Sequence, residues 1–289
     1  MFGALRRSAP NVERETLNGQ RFSGLRPLTT LPPAATRSPK VAVLPHEGTY
    51  SVMYGPLPVS VGSGYRRGYL ARPDKAGRFP VVLLVPDLDG LGAHEKHVAR
   101  RLARRGLAVV VIDLYPQAPT SRDDALAAYH QLTDFEAMRT LDEAVEYLSS
   151  EDIDWAQCDS VGVLGLDVGG RFALIQAAHR RWVGACAVVS APLTGDEDRR
   201  HPVADMLEHL APPILGLYGA DDSLISTDTV DEAQRRNPAG TWLLYEGAGH
   251  GFLDEVGPEF EEPSAEDAIA RLTDFFLAHL PRAQETELG

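Results

Sequence analysis

The chain has 289 residues, of which 44% are hydrophobic, enough for a sizeable core in one large domain or two small ones. Its formal charge of -13 at pH 7 argues against a nucleic-acid surface, and its apolar runs are far shorter than the ~20 residues of a membrane span. We therefore expect a protein that binds neither nucleic acid nor membrane. Because the first residues lack the apolar core of a secretory signal, we also expect it to be cytoplasmic.

The first forty residues differ from the rest of the chain in charge and in pattern. They hold seven Lys or Arg residues against two Asp or Glu residues, and several prolines interrupt them without a sustained hydrophobic period. We predict a basic, irregular extension over residues 1–54, one folded domain over residues 55–281 and a frayed tail over residues 282–289.

Hydrophobic patterns predict the elements of the folded domain. Alternating residues between Pro58 and Arg72 predict a hairpin of two outer strands. Continuous apolar runs predict strands that are buried on both faces, over residues 81–85, 107–112, 161–166, 183–189, 213–218 and 241–245. Helical patterns occupy residues 94–105, 123–148, a segment after Asp167, 229–236 and 264–280. These repeated βα units predict one doubly wound α/β domain with a mostly parallel sheet and its chemistry at the carboxyl ends of the strands.

A sharp turn follows the apolar run of residues 161–166. There Gly165-x-Asp167-x-Gly169 has the form of a nucleophile elbow, in which the central residue sits on a strained turn between a strand and a helix. The central residue is an aspartate, which can form a covalent ester but is a weaker acyl-transfer nucleophile than a serine alkoxide or a thiolate. An ordinary glycine-rich turn is the alternative interpretation.

Two later strand ends supply candidates for the rest of a catalytic triad. Residues 219–222 (Gly-Ala-Asp-Asp) follow one predicted strand, and residues 249–252 (Gly-His-Gly-Phe) follow the next. In an α/β-hydrolase the nucleophile, acid and histidine occur in this order along the chain. We therefore predict His250 as the base and Asp222 as the carboxylate that orients it, with Asp221 as the alternative to Asp222.

Residues 58–280 resemble the dienelactone hydrolase family, a branch of the α/β-hydrolases without a large lid domain. The matching segments are Gly68-Tyr69-Leu70-Ala71-Arg72-Pro73, Asp113-Leu114-Tyr115, Gly165-Leu166-Asp167-Val168-Gly169-Gly170, Gly219-Ala220-Asp221-Asp222 and Gly249-His250-Gly251-Phe252. The family's elbow carries a cysteine where this chain has Asp167, and neither Cys158 nor Cys186 occupies a candidate loop. The resemblance implies an α/β-hydrolase fold and a small-molecule substrate, with no cofactor and no metal.

The resemblance also implies roles for the loop after the first buried strand. Asp87 aligns with a family glutamate near the nucleophile, and the backbone N–H groups of Leu88 and Val168 align with the oxyanion hole. Such donors act on the negative charge that develops in the transition state and are worth ~10²–10³ in rate each. If the alignment holds, Asp87 and Asp167 face one another and titrate as a coupled pair.

The expected function is hydrolysis of a small ester, lactone, epoxide or halogenated compound. Asp167 would attack an electrophilic carbon, and water activated by His250 would then hydrolyse the resulting ester. Family members bind a substrate carboxylate with an arginine shortly after the histidine, where this chain has Asp254 and Glu255, so dienelactone itself is not the expected substrate. A non-hydrolytic acid/base enzyme (isomerase, lyase or cyclase) and an inactive small-molecule-binding homologue are the alternatives, and the oligomeric state stays open.

We expect two charged segments to be solvent-exposed surface rather than functional sites. His94 and His97 lie three residues apart on a predicted helix without an apparent third ligand, so we interpret them as a solvated helix face rather than a metal site. Residues 196–200 are three acidic side chains followed by two basic ones, and this mixed charge favours an exposed loop.

Overall fold

A computed structural model describes residues 48–62, 64–194 and 203–286. Its strands are β1 (Val52–Pro56), β2 (Val59–Val61), β3 (Gly64–Arg66), β4 (Gly68–Pro73), β5 (Gly77–Val85), β6 (Ala108–Ile112), β7 (Ala156–Leu166), β8 (Val183–Val189), β9 (Ile214–Gly219), β10 (Thr241–Tyr245) and β11 (Gln284–Glu285). Its α-helices are α1 (Ala93–Ala103), α2 (Arg122–Gln131), α3 (Asp134–Leu148), α4 (Val168–His179), α5 (Thr227–Arg236) and α6 (Glu262–His279), and Val203–His209 forms a 3-10 helix.

One mixed sheet organises the domain, in the strand order β1-β4-β6-β5-β7-β8-β9-β10. The strands from β6 to β10 in this order pair in parallel, whereas β4 pairs antiparallel with both β1 and β6. The order reverses direction at β5, the first buried strand, from which the chain first moves outward to β6 and then crosses to β7. This is the α/β-hydrolase fold, as predicted, with a mostly parallel sheet flanked by helices.

Helices cover both faces of the sheet and divide the core into two clusters. On one face, α1 and α6 bury apolar stripes that include Val98, Leu102 and Phe276. On the other face, α2, α3, α4 and α5 bury residues that include Leu141 and Phe172. Since every residue of β6 is buried, its continuous apolar composition follows from cover on both sides. Along the described chain, the connection from β6 to β7 at the carboxyl edge contains only α2, α3 and their loops.

The structure corrects three predicted elements. The predicted outer hairpin is wrong in its pairing, because β2 pairs with β3 whereas β4 lies between β1 and β6. The single helix predicted over residues 123–148 is two helices, because Thr133 caps α3 with its side-chain oxygen and breaks the run. The tail is not frayed at Gln284–Glu285, since this segment pairs with β5 as β11.

Three predicted segments fall partly or wholly beyond what the structure describes. Of the predicted extension over residues 1–54, residues 1–47 lie outside the described residues, and β1 begins inside the extension at Val52. The loop predicted over residues 196–200 and residues 287–289 of the predicted tail also lie outside them. None of the helices in the described ranges is long and apolar enough to cross a membrane.

Candidate active site

Four strand ends place the predicted site residues at one edge of the sheet. Asp87 follows β5, Asp167 follows β7, Asp222 lies three residues after the end of β9, and His250 lies on the loop after β10. Parallel strands end at the same edge, so side chains that are far apart in sequence converge there. Asp167 and His250 line the same cavities, one of about 170 Å³ that also contains Asp87 and one of about 430 Å³ that also contains Leu88.

The elbow holds Asp167 in a strained backbone conformation. Its φ of 45° is one of two positive values among the described non-glycine residues. The strand and helix that flank it approach so closely that a Cβ on Gly165 would lie 2.3 Å from the Gly170 Cα, and a Cβ on Gly169 would lie 2.2 Å from the Pro86 carbonyl oxygen. The glycines are therefore required by packing, and the sharp turn presents the Asp167 carboxylate at the mouth of the cavity.

Asp222 orients the histidine ring. Its Oδ2 lies 2.8 Å from His250 Nδ1, and its side chain is fully buried. The Oδ1 atom accepts the backbone N–H groups of Leu224 at 2.7 Å and Ile225 at 2.9 Å, which fixes the carboxylate. The neighbouring Asp221 is exposed, so the structure brings Asp222 and not Asp221 to the imidazole.

The other ring nitrogen of the histidine faces the elbow. His250 Nε2 lies 3.3 Å from Asp167 Oδ1, so one imidazole bridges two carboxylates. Burial disfavours the charged ring, but the hydrogen bonds and charges of Asp167 and Asp222 outweigh it and raise the pKa of His250 to about 9. At neutral pH the ring is protonated and holds a proton on the side of Asp167.

A third carboxylate lies beside the elbow. Burial raises the pKa of Asp87 to about 6, the charge of Asp167 adds to this rise, and the hydrogen bond from the Asp89 N–H opposes it. That hydrogen bond, from the Asp89 nitrogen to Asp87 Oδ1, is 2.9 Å long and closes the turn. The charge of Asp167 therefore acts on Asp87, and the facing arrangement of the two carboxylates stays a prediction.

Two backbone N–H groups beside the elbow are the candidates for an oxyanion hole. Val168 is the first residue of α4, and N–H groups in the first turn of a helix have no partner within that helix. Leu88 is 3% exposed on the turn after β5, and its N–H donates to no group within the part of the chain that the structure describes. Both residues border the larger cavity beside Asp167. Their role in an oxyanion hole stays a prediction.

Comparison with known proteins places this site in a family. The model of the dienelactone hydrolase family matches residues 66–280. The chain belongs to the dienelactone hydrolase family. It is 30% identical over 227 residues to a carboxymethylenebutenolidase of Rhodococcus opacus, covering 73% of this chain and 86% of that protein. A carboxymethylenebutenolidase-like protein of Methylorubrum extorquens is 30% identical over 235 residues, which cover 77% of this chain and 80% of the relative.

The fold agrees with a solved structure. A dienelactone-hydrolase-like protein of Klebsiella pneumoniae superposes with a TM-score of 0.71 at 24% identity, covering 78% of this chain and 98% of the other. At this level of identity the likeness supports the fold alone. This member of the dienelactone hydrolase family is thus an α/β-hydrolase.

The structure adds site residues that the sequence analysis missed. Ser190, at the end of β8, has a φ of 48° and donates its Oγ hydrogen to the His250 carbonyl oxygen at 2.8 Å, which anchors the histidine loop. Nothing in the sequence around Ser190 signals this contact. His94 lines the smaller cavity with its Nδ1 3.6 Å from Asp254 Oδ1, so its interpretation as a solvated helix face is wrong. The available signal in the sequence was a histidine on the helix that follows the turn after β5.

The acidic pair that follows His250 contacts side chains of α1. Asp254 faces His94, and Glu255 lies 2.7 Å from His97 Nε2 and 3.6 Å from Arg101 Nη1. The two carboxylates therefore hold the loop after His250 against α1. Within residues 48–62, 64–194 and 203–286 there is no group of three or more His, Cys, Asp or Glu side chains placed to hold a metal ion.

Proposed function

We propose that this protein hydrolyses small lactones or esters whose oxygen leaving group departs easily, with Asp167 as the nucleophile. The observation that carries this proposal is the distance of 3.3 Å between Asp167 Oδ1 and Nε2 of a protonated His250. The strained backbone of Asp167 presents this carboxylate at the turn. The carboxylate supplies the nucleophile, and the imidazolium beside it supplies a proton for the leaving group. Support for a lactone comes from the Rhodococcus relative, whose name describes action on a butenolide, an unsaturated lactone.

In the first step an Asp167 oxygen attacks the carbonyl carbon of the substrate. A mixed anhydride forms on Asp167, the carbon–oxygen bond to the leaving group breaks, and His250 Nε2 gives its proton to the departing oxygen. The N–H groups of Leu88 and Val168 would stabilise the tetrahedral oxyanion on the way. This step consumes the positive charge of His250 and the negative charge of Asp167 together, so the site keeps its net charge.

In the second step the neutral imidazole activates water. Once Asp167 is acylated it has lost the charge that favours protonation of His250, so the ring becomes a base. His250 takes a proton from water, the hydroxide attacks the acyl carbon, and the acid product leaves while Asp167 becomes a carboxylate again. Asp222 stabilises the imidazolium that re-forms, and the starting state is restored.

The weakness of the nucleophile narrows the class of substrate. A carboxylate attacks acyl carbons poorly, so the leaving group must be a better one than an alkoxide, as an enol or phenol oxygen is. Enol lactones and aryl esters meet this requirement. The smaller cavity beside Asp167, about 170 Å³, favours a compact acyl group.

A second candidate is acid/base catalysis without a covalent intermediate. The raised pKa of Asp87, about 6, favours this candidate, because a carboxyl group that titrates near neutral pH beside Asp167 is suited to proton transfer. The third candidate is a binding protein that shows no turnover at all.

Trapping the acyl group separates the three candidates. We expect His250→Gln to accumulate an acetyl group on Asp167 when it is treated with 4-nitrophenyl acetate, since the nitrophenolate leaves without a proton and the base for the second step is gone. Hydroxylamine cleaves the anhydride at either carbonyl carbon, and the fraction that attacks the Asp167 carbonyl leaves a hydroxamate there, which peptide mass spectrometry locates. The double variant with Asp167→Asn is the matched control and should show none. If the wild type turns over the ester but His250→Gln never carries the hydroxamate, the nucleophile role of Asp167 is rejected in favour of acid/base catalysis. If the wild type shows no turnover, a binding protein is favoured.

A further inference from the structure

A second buried carboxyl group, Glu95 on α1, lies behind the turn that carries Asp87. Its side chain belongs to the third residue of the helix and is 1% exposed. Glutamates are almost never buried to this degree unless they are paired with a cation, and no ion pair of Glu95 occurs among the described residues. This burial contradicts the interpretation of the helix between His94 and His97 as a solvated face.

The contacts of Glu95 tie it to the turn after β5. Its Oε2 accepts the backbone N–H of Gly92 at 2.8 Å, the contact by which a glutamate at this position closes the start of a helix. The fit is close, because a Cβ on Gly92 would lie 3.0 Å from that oxygen. Its Oε1 is buried and makes no hydrogen bond within the described residues, so Oε1 is the atom available to carry a proton.

The charge state of Glu95 follows from its surroundings. Burial and the nearby charge of Asp87 raise the pKa of Glu95 to about 8, although the N–H groups of Gly92 and Asp87 oppose the rise. The other titratable or charged groups on the elements around this turn include Asp89 on the turn itself, Asp167 at the elbow, Arg122 on α2, Asp113 at the end of β6 with its partner Arg67, His94 and His97 on α1, and Asp254 and Glu255 after β10.

We propose that Glu95 is a positioning residue that stays a neutral acid at neutral pH and fixes the turn carrying Asp87 and the Leu88 N–H. It touches no substrate. As a neutral acid it holds Gly92 without placing another negative charge behind Asp87. When it ionises, two adjacent carboxylates repel one another across the turn, and the Leu88 N–H moves from its position beside the elbow. The catalytic part of this inference rests on the proposed function, because it assigns the Leu88 N–H to the oxyanion.

The first test needs no activity. In ¹⁵N-labelled wild-type protein, the amide signals of Gly92 and Leu88 should titrate with an apparent pKa near 8, and this titration should disappear in Glu95→Gln. Glutamine is neutral at every pH and keeps an oxygen for the Gly92 N–H. Glu146→Gln, which changes an exposed carboxylate on α3, is the matched control and should leave the titration in place. Persistence of the titration in Glu95→Gln, or its absence from the wild type, would overturn the proposal.

The second test measures stability. The pKa of Glu95 is higher in the folded protein than the ordinary value of 4.5, so the fold binds this proton and loses stability as the pH rises from 4.5 to about 8. Glu95→Gln removes that loss. The melting temperature of Glu95→Gln relative to wild type should therefore rise between pH 5 and pH 9, while that of Glu146→Gln should stay flat. If the difference in melting temperature between Glu95→Gln and the wild type does not change with pH, Glu95 is ionised over the whole pH range.

The third test connects the turn to catalysis with 4-nitrophenyl acetate as the probe. Glu95→Ala loses the Gly92 contact, so kcat should fall by ~10²-fold, the cost of a misplaced oxyanion donor, with little change in KM. Glu95→Gln should restore kcat at pH 7 and move the alkaline loss of activity from near pH 8 to near pH 9, where His250 titrates. Full kcat in Glu95→Ala would end the positioning role. If the wild type fails to hydrolyse the probe, the proposed function fails, and the amide and stability tests still decide the charge state of Glu95.

Discussion

At the scale of single residues, the site is a chain of carboxyl groups around one imidazole. His250 lies between Asp222 at 2.8 Å and Asp167 at 3.3 Å, and Asp87 acts on Asp167 from the turn after β5. The charge of Asp167 contributes to raising the pKa of both His250 and Asp87, so the protonation of these two groups depends on the same carboxylate. Each charge can be tested separately by a substitution that removes it without changing its shape.

The imidazolium of His250 should stabilise the folded protein. Its pKa of about 9 lies above the ordinary 6.5, so this contribution is fully present below pH 6.5 and is lost as the pH rises through 9. At full strength it is about 3 kcal/mol. His250→Gln should therefore be less stable than wild type at pH 6 by up to this amount, and the gap should close by pH 10 in urea unfolding. The exposed His179→Gln is the control, and a gap that does not change with pH would contradict the assignment.

The coupling between Asp87 and Asp167 predicts a directional shift. Asp167→Asn removes a nearby negative charge, so the pKa of Asp87 should fall below about 6. It should not reach the ordinary aspartate value, because burial is the larger cause of the rise. Carboxyl-carbon NMR titration measures the pKa of Asp87 in the wild type and in Asp167→Asn. Asp228→Asn, on the exposed side of α5, should leave Asp87 at about 6, and an equal lack of change in Asp167→Asn would show that the two carboxylates do not interact.

At the scale of elements, the elbow depends on the close approach of β7, α4 and the end of β5. A Cβ on Gly169 would lie 2.2 Å from the Pro86 oxygen and 2.4 Å from the Val85 oxygen, both backbone atoms that cannot move aside alone. We expect Gly169→Ala to lose about 3 kcal/mol of unfolding free energy. Gly64→Ala, where a Cβ meets nothing within 4 Å, should change stability by less than ~0.5 kcal/mol. Equal unfolding free energies of the two variants in urea would mean that α4 can move away from the end of β5 without a loss of stability.

The break between α2 and α3 is encoded by a capping signal that the hydrophobic period of the sequence masks. Thr133 Oγ1 accepts the Glu136 N–H at 3.1 Å, and Glu136 Oε2 accepts the Thr133 N–H at 3.1 Å. This reciprocal pair is a helix start that the spacing Thr-x-x-Glu encodes in the sequence. The hydrophobic period of residues 123–148 nevertheless predicts one helix, because the period continues across the break.

At the scale of the whole molecule, the fold keeps both thiols away from the edge of the sheet that carries Asp167 and His250. Cys186 is fully buried in the middle of β8, and Cys158 is half-buried near the start of β7. Burial raises the pKa of both thiols, so neither is a ready nucleophile. Iodoacetamide treatment of the folded protein should modify Cys158 slowly and Cys186 hardly at all, and hydrolysis of 4-nitrophenyl acetate should be unchanged. A loss of activity that parallels labelling of either cysteine, followed by peptide mass spectrometry, would contradict this.

The order of the elements and the identity of the site candidates are local properties, so the sequence alone determined them. Buried strands appear as apolar runs, strand ends appear as glycine and aspartate clusters, and the chain order of Asp167, Asp222 and His250 matches an α/β-hydrolase. The predicted bounds of β8 and β10 agree with the structure because both strands lie between clear turn signals.

The tertiary structure alone decided what depends on residues far apart in the chain. The pairing of β4 with β1 and β6, the contact of Ser190 with the histidine loop and the burial of Glu95 behind Asp87 leave no periodic signal. The same holds for protonation, because the pKa values of His250 and Glu95 are set by burial and by charges on other elements. A side chain's charge state is a property of its folded surroundings, and those surroundings exist only once the strand ends have been brought together.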